Sequence, residues 1–496
     1  MGVTFTPPKV TAASSIHHRA AAEENAAVGV AAAAELRAIM TGQSDNSILL
    51  LKAAAGAGKS FLLRELVAST LEIRPGSRVA VTAFTNAQVQ RLAADLANDL
   101  GRESVCLFTK KDSRAEVPQA ISEQVDVFES AIEIPQSTRV VVGTAHKLGA
   151  MGEYNRLLSH FGPATNGEKP FDVLFCDEAW QLRSQYFDRV RGLASIWVAV
   201  GDVGQLPPLE IGENPWRGDS RYNPIRAWPE EFAGKPGTWE RELPTVWRPA
   251  AGHLALWRAF YPEWAELDCV AAPPDRWLNS GLLAGDALEV WNQVGSGVPT
   301  LLEVDGLPEP DAADVDLPLL RFGERLLDEL LSAGATLEKV IYDDDGDPTP
   351  EVQTLSAGDH GGDPLMAILA TRNQAVDDAA DAVDRLTEKH GLEPNDIVVS
   401  TVDKYQGQNN GITVAVHPLS GATELDDFNS AFGRLAVICT RATHGLLLLT
   451  RPGLSELLAD APARPGTPFG EPGNRTLPRQ THLRILDTFA RGHMSA

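Results

Sequence analysis

The stretch Ala53-Ala54-Ala55-Gly56-Ala57-Gly58-Lys59-Ser60 decides how this chain is read. It follows a short apolar run at residues 48–51. It precedes residues 61–71, where Leu62, Leu63, Leu66, Val67 and Leu71 fall on one helical face. A strand, a loop of small residues and a helix, in that order, make a phosphate cradle. Small residues let the backbone curl around an anion with its N–H groups inward, and the helix adds its positive end. Ala55, Gly56, Ala57, Gly58, Lys59 and Ser60 are therefore the candidate nucleotide-binding residues. Lys59 is placed to reach the β- and γ-phosphates of ATP, and the Ser60 hydroxyl to bind Mg2+. Ala53 stands where the pattern usually has its first glycine.

Working outward, short β-branched runs at 78–83, 140–142, 173–176 and 196–200 alternate with helical segments such as 87–96. Runs of this kind between helices predict buried parallel strands, with function at their C-terminal ends. A Pro- and Trp-rich stretch, 207–249, interrupts the alternation and reads as a junction. The pattern resumes with strands at 300–304, 365–370, 397–401, 412–416 and 446–450 and helices at 324–331 and 376–389. Residues 342–362 read as an acidic loop or hairpin. The expected division is an N-terminal helical extension at 1–45, a first α/β domain at 46–244, a second at 245–460 and a tail at 461–496. No large accessory domain is expected.

A second signal is Phe175-Cys176-Asp177-Glu178-Ala179. Two acids at the end of an apolar strand divide the work: Asp177 holds Mg2+ and Glu178 polarises the attacking water. Alone, the pair reads as a solvated loop; beside a phosphate cradle the catalytic reading prevails.

The chain has 496 residues, 43% of them hydrophobic, enough for two to four domains with real cores. Four scattered cysteines, Cys106, Cys176, Cys269 and Cys439, have no metal-ligand spacing and read as buried thiols. No apolar stretch is long enough to cross a bilayer, and the chain reads as cytoplasmic, with no membrane partner. The formal net charge of −24 excludes a broad basic surface for nucleic acid. Any such binding must use a local groove, through backbone amides, hydroxyls and stacking.

Further motifs follow in order: Ala83-Phe84-Thr85-Asn86-Ala87-Gln88; Val142-Gly143-Thr144-Ala145-His146; Asp177-Glu178-Ala179-Trp180-Gln181; Gly201-Asp202-Val203-Gly204-Gln205-Leu206-Pro207-Pro208; Trp247-Arg248-Pro249; Thr401-Val402-Asp403-Lys404-Tyr405-Gln406-Gly407; and Arg434-Leu435-Ala436-Val437-Ile438-Cys439-Thr440-Arg441-Ala442. From about residue 48 to 450 this series resembles the superfamily 1 helicases. The resemblance implies an α/β fold of two tandem RecA-like domains with parallel sheets, hydrolysing ATP between them. It makes Lys59, Glu178, Gln205, Arg248 and Arg441 catalytic. Gln205 would sense the γ-phosphate, and the two arginines would act as fingers on the transferred phosphoryl group. Gly407 would bring backbone to that phosphate. Ser60 and Asp177 would bind the metal.

Thr85, Asn86, Thr144, His146 and Thr401 would contact single-stranded nucleic acid, DNA favoured over RNA. Each is equally suited to capping a helix or turn. The Asp-Glu-Ala-x-Gln form resembles the branch containing the nonsense-mediated-decay helicases and their bacterial and viral relatives, which implies 5′-to-3′ movement. Asn409 departs from the family, which usually has an acid there for the ribose. Trp216 is either a base-stacking ring or a core residue. The implied function is an ATP-dependent helicase or translocase; the alternative is a nucleic-acid-stimulated ATPase switch that recruits a partner such as a nuclease.

Overall fold

The computed structural model describes residues 3–15, 18–165, 167–204, 223–262, 264, 267–271, 274–310, 316–343, 345–371, 373–405, 408–425, 432–461 and 478–496. Gln205, Trp216 and Gly407 lie outside the described residues.

The chain opens with β1 (Thr4–Thr6) and a long helix, His18–Met40. Then come β2 (Ile48–Ala53), the helix Lys59–Ile73, β3 (Val79–Ala83), the helix Asn86–Leu100, β4 (Val105–Phe108), β5 (Asp126–Phe128), β6 (Val140–Thr144), β7 (Val173–Cys176), β8 (Ile196–Gly201) and β9 (Thr238–Leu243). Strands β2 to β9 form one sheet in the order β5-β4-β6-β3-β7-β8-β2-β9. Every pairing in it is parallel. The apolar run of β2 shows why: Leu49, Leu51 and Ala53 enter the packing on one face, Ile48 and Leu50 that on the other. A strand covered on both sides needs no polar alternation.

A short parallel pair, β10 (Thr245–Val246) with β11 (Asp268–Cys269), forms the junction, with the helix Leu254–Phe260 between them. Beyond it lie β12 (Arg276–Asn279), β13 (Thr300–Asp305), β14 (Thr336–Tyr342), β15 (Pro348–Leu355), β16 (Met366–Ala370), β17 (Ile397–Thr401), β18 (Asn410–Val416), β19 (Ala442–Thr450) and β20 (Ala490–Ser495). The second large sheet runs β1-β20-β13-β19-β18-β16-β17. It is parallel throughout except at its edge, where β1 pairs antiparallel with β20. Two tandem RecA-like lobes with parallel sheets are thus present, as the motifs imply.

Three expectations about organisation change. The stretch beyond residue 460 is no plain tail: the helix Pro478–Leu486 and β20 complete the second sheet. Residues before 46 do not form one extension: β1 joins the second lobe, while the helix His18–Met40 packs on the helix Lys59–Ile73 of the first. Both ends of the chain escaped the sequence reading because each strand is an edge or near-edge element with few apolar residues. The region taken as second-domain elements also holds a separate antiparallel sheet, β12-β14-β15, including the expected hairpin.

The lobes share a dry junction. One buried apolar cluster runs from Leu49, Leu63 and Val67 through Val246, Leu254, Trp257 and Tyr261 to Leu435, Leu446 and Leu448. Each such side chain contributes roughly 1.5–3 kcal/mol by leaving water, so the connection is packed core rather than a free linker. The four cysteines are free and buried. Among the described residues no helix is long and apolar enough to cross a membrane.

A candidate nucleotide site in the cleft between the lobes

In the first sheet, β7, β8 and β2 are neighbours, and their C-terminal ends open on one spot. From β2 comes the phosphate loop, from β7 Asp177 and Glu178, and from β8 Asp202. Lys59 Nζ lies 3.1 Å from Glu178 Oε1 and 3.6 Å from Asp202 Oδ2. Burial works to discharge this ammonium, but Glu178 and Asp202 outweigh it, and its pKa is held above the ordinary lysine range. Burial, followed by the Glu178 carboxylate, pushes Asp177 up to about 7. Burial raises Asp202 as well.

The loop is held from behind by its carbonyls. Trp257 Nε1 donates to Ala55 O at 3.0 Å, Trp247 N–H to Gly56 O at 2.8 Å, and Asn25 Nδ2 to Ala57 O at 3.1 Å. With three successive carbonyls tied outward, the amides at the start of the helix Lys59–Ile73, which have no partner within the helix, are left for an anion. Gly56 (φ +76°) is needed where it stands: a Cβ there would come within 2.4 Å of Arg248 Cβ. Asn25 also bridges to Thr245, donating to its carbonyl (2.9 Å) and accepting from its N–H (3.1 Å).

Glu178 sits in left-handed backbone, φ 47°. For a non-glycine residue this costs about 1–3 kcal/mol and collects at functional sites. Its second oxygen, Oε2, accepts from Gln181 Nε2 at 3.2 Å, and Gln181 Oε1 accepts from Gln88 Nε2 at 3.5 Å. Asp177 Oδ1 accepts from the Glu178 N–H at 3.0 Å.

A cleft of about 1170 Å³ is lined by Arg248 and Arg441 together with Lys59, Ser60, Asp177 and Glu178, Arg248 starting beside Gly56 and reaching toward Arg441. Arg248 Nη1 donates to Thr440 O at 2.7 Å. Arg441 donates through Nε to Val437 O (3.2 Å) and through Nη2 to the Thr440 hydroxyl (3.1 Å). Burial and then the neighbouring Arg441 lower the pKa of Arg248 to about 9. Arg248 Nε is enclosed without a hydrogen-bond partner. Two crowded guanidinium groups facing a phosphate cradle are relieved by an incoming anion.

The structure thus brings together Ala55, Gly56, Gly58, Lys59, Ser60, Asp177, Glu178, Arg248 and Arg441 around one cleft. Ala57 is buried beneath it. Three residues of this neighbourhood escaped sequence reasoning. Asp202 carried a signal, an acid after the apolar run 196–200, the pattern that exposed Asp177. Asn25 and Arg276 carried none. Arg276 donates to the carbonyls of Arg248 and, at 2.9 Å, Trp247, and so fixes the arginine segment.

Of the nucleic-acid candidates, Thr85 lines the same cleft as Lys59, while Asn86, Thr144, His146 and Thr401 lie outside its lining. Thr85 caps the helix Asn86–Leu100 by accepting from the Gln88 N–H (3.3 Å), in a capping box. Thr144 accepts from the Lys147 N–H (3.2 Å), and Thr401 from the Lys404 N–H (3.3 Å). Asn86 is the first residue of its helix and exposed. His146 is exposed and packs on Tyr186, ring centroids 4.5 Å apart, with Phe84 adjoining at 6.3 Å. Arg183 and Arg189 lie over Tyr186.

Residues 36–210 match the family described as AAA domain. The match spans Lys59, Asp177, Glu178 and Asp202, the residues of the first-lobe wall. No curated protein matches the chain. Solved structures similar in outline include one described as PRRSV helicase, 12% identical, covering 86% of this chain and 57% of its own, with TM-score 0.36. Another is the complex of Arterivirus nonstructural protein 10 (helicase) with DNA, 13% identical, covering 83% and 63%, TM-score 0.37. A third is the DUF1998 helicase MrfA bound to DNA and AMPPNP, 11% identical, covering 91% and 52%, TM-score 0.41. This chain therefore spans between about half and two thirds of the length of those chains.

Proposed function

We propose that this chain is a nucleic-acid-stimulated ATPase of the superfamily 1 helicase type, hydrolysing ATP in the cleft between its two lobes. The observation that carries the reading is the facing of two walls: Lys59 among Asp177, Glu178 and Asp202 on one side, and Arg248 with Arg441 on the other.

The residues suit a bound Mg2+. The Ser60 hydroxyl and the buried Asp177 carboxylate are hard oxygen donors, and three carboxylates crowd a single ammonium. Bound there with ATP, Mg2+ would neutralise charge developing on the phosphates. Before nucleotide arrives, the Lys59–Glu178 pair keeps the base occupied. Phosphate oxygens would draw Lys59 away and free Glu178 Oε1 to accept a proton from water. Gln181 would hold the other carboxylate oxygen still. Arg248 and Arg441 would follow the triphosphate inward and bring the second lobe with them.

For the strand, the Phe84–His146–Tyr186 rings with Arg183 and Arg189 supply stacking faces and cations at the C-terminal ends of β3 and β6. This local patch suits a chain whose overall charge is −24. Movement 5′ to 3′ and a preference for DNA belong to the same proposal.

ATP turnover measured with and without single-stranded DNA and RNA at low salt tests it. Stimulation by single strands supports the reading; none sinks it. A fluorescent duplex with a 5′ tail then separates a helicase from a switch, since stimulated turnover without strand separation favours the switch.

A further inference from the structure

Ala55 is held at both of its backbone polar groups by one helix of the junction. Its carbonyl takes the Trp257 indole N–H, and its N–H donates to the Tyr261 hydroxyl at 3.0 Å. Tyr261 follows Trp257 by one turn, at the C-terminal cap of the helix Leu254–Phe260. The same hydroxyl lies 2.9 and 3.0 Å from the two oxygens of Asp202 and donates its proton there. Asp202 also accepts from the Gly204 N–H (2.9 Å) and faces Lys59 Nζ at 3.6 Å. Lys59 belongs to the loop that starts with Ala55, so the contacts close a ring: Ala55, Tyr261, Asp202, Lys59.

The ring is built for this tyrosine. A Cβ at Gly204 would come within 2.2 Å of Tyr261 Cε1, so glycine is needed for the phenol to reach Asp202. The phenol is buried and stacks on Trp264, centroids 5.2 Å apart. Burial, then Asp202 beside it, raises its pKa well above the usual tyrosine range, so the O–H is retained. A neutral hydroxyl that accepts from an amide and donates to a carboxylate strengthens both bonds. On its other side the helix is anchored to the second lobe: Arg484 Nε, in the helix leading to β20, donates to Ala259 O at 2.9 Å.

We propose that Tyr261 is a positioning residue for nucleoside triphosphate binding, fixing the phosphate loop at Ala55 and aiming Asp202 at Lys59. This rests on the reading that the loop binds ATP. Tyr261 touches no substrate and acts through the loop, so its loss weakens binding of the triphosphate more than it slows the chemical step. Trp257 supports the same residue from the carbonyl side.

The test uses the full chain and Tyr261→Phe, which keeps the ring and removes only the hydroxyl. Equilibrium binding of a fluorescent ATP analogue with Mg2+, without nucleic acid, is combined with steady-state turnover and melting. The expected result is a Kd and KM for ATP raised roughly tenfold, the size of one lost charge-assisted hydrogen bond, with kcat changed less than about threefold. Trp257→Phe, which removes the indole N–H together with part of the buried ring, shifts KM in the same direction and carries the test if Tyr261→Phe does not fold. Kd and KM within about twofold of wild type, or a loss confined to kcat, overturns the proposal. A wild-type chain that binds no ATP overturns the reading beneath it instead. One that binds ATP but is not stimulated by single strands sinks the motor reading and leaves the Tyr261 comparison intact.

Discussion

The first-lobe wall of the cleft carries Asp177, Glu178 and Asp202 around Lys59, three carboxylates to one ammonium. The second-lobe wall carries Arg248 and Arg441, held by carbonyl and hydroxyl oxygens that fix their position without neutralising them. The contrast teaches a division of labour. The residues of one wall come from adjacent strands of one sheet. The other supplies two guanidinium groups that feel the charge of Asp202, and for Arg441 also that of Glu178, on the first wall. On the proposed reading, binding belongs to the first wall and the response of the second lobe to the second.

Lys59→Ala breaks the first wall outright. Turnover is expected to be abolished, and the unpaired carboxylates should also lower the melting temperature; wild-type-like hydrolysis would refute the site. Arg441→Ala tests the second wall. A cost of about 10³-fold or more in turnover, with nucleotide still bound, is expected of a finger; a change below tenfold makes the residue structural. Glu178→Gln sharpens the division within the first wall. The amide keeps the shape and removes the base, so the protein should bind ATP, hardly cleave it and yield a trapped complex on gel filtration.

Acid should separate the two halves. His253, His417 and His444 lie at the junction and in the second lobe, and burial lowers each to about 3, assisted by Arg276, His482, and Arg276 with Lys339 respectively. The unfolded chain takes up these protons near 6.5 and the folded chain does not. Their stability is therefore present above about 6.5 and is lost as pH falls toward 3, by up to ~1.4 kcal/mol per pH unit for each histidine. Asp177 works in the opposite sense. Its raised pKa means that the cost of its buried charge is relieved as pH falls through about 7. Hydrogen exchange between pH 7 and 5, without nucleotide, should show second-lobe strands losing protection before those of the first lobe; the reverse order would contradict this assignment.

The smallest effects belong to the threonines. Thr85→Ala and Thr144→Ala each remove a cap and should cost about 1 kcal/mol of stability. Basal turnover should be kept. If stimulation by single strands also falls, the hydroxyls serve the strand as well as the helix; if only melting changes, they are caps.

Much of the first wall was legible because its parts are contiguous. A phosphate loop must sit between a strand and a helix, and Asp177 follows an apolar run, so local pattern and position coincide. Most strands of both sheets were legible for the same reason, as runs such as 173–176 can only be covered on both faces. The edges were not. β1, β20 and β9 are short or polar, and their pairing is decided by distant partners: β20 lies beside β13, nearly 200 residues away. The small sheet β12-β14-β15 was hidden because its strands alternate irregularly and are separated by β13.

The sequence by itself determined an α/β protein with a strand, a small-residue loop and a helix at Lys59, the order of its motifs and the candidates Lys59, Asp177 and Glu178, because chemistry at a strand end needs only a few neighbouring residues. Only the tertiary structure decided what surrounds them. Asp202 meets Lys59, Tyr261 grips Ala55, Asn25 ties the loop to Thr245, and both chain termini close the second sheet. These contacts join residues tens to hundreds of positions apart, each through a hydrogen bond or ion pair to backbone or carboxylate. Spacing along the chain carries no trace of such partners; their geometry exists only once the two lobes have packed around a common core.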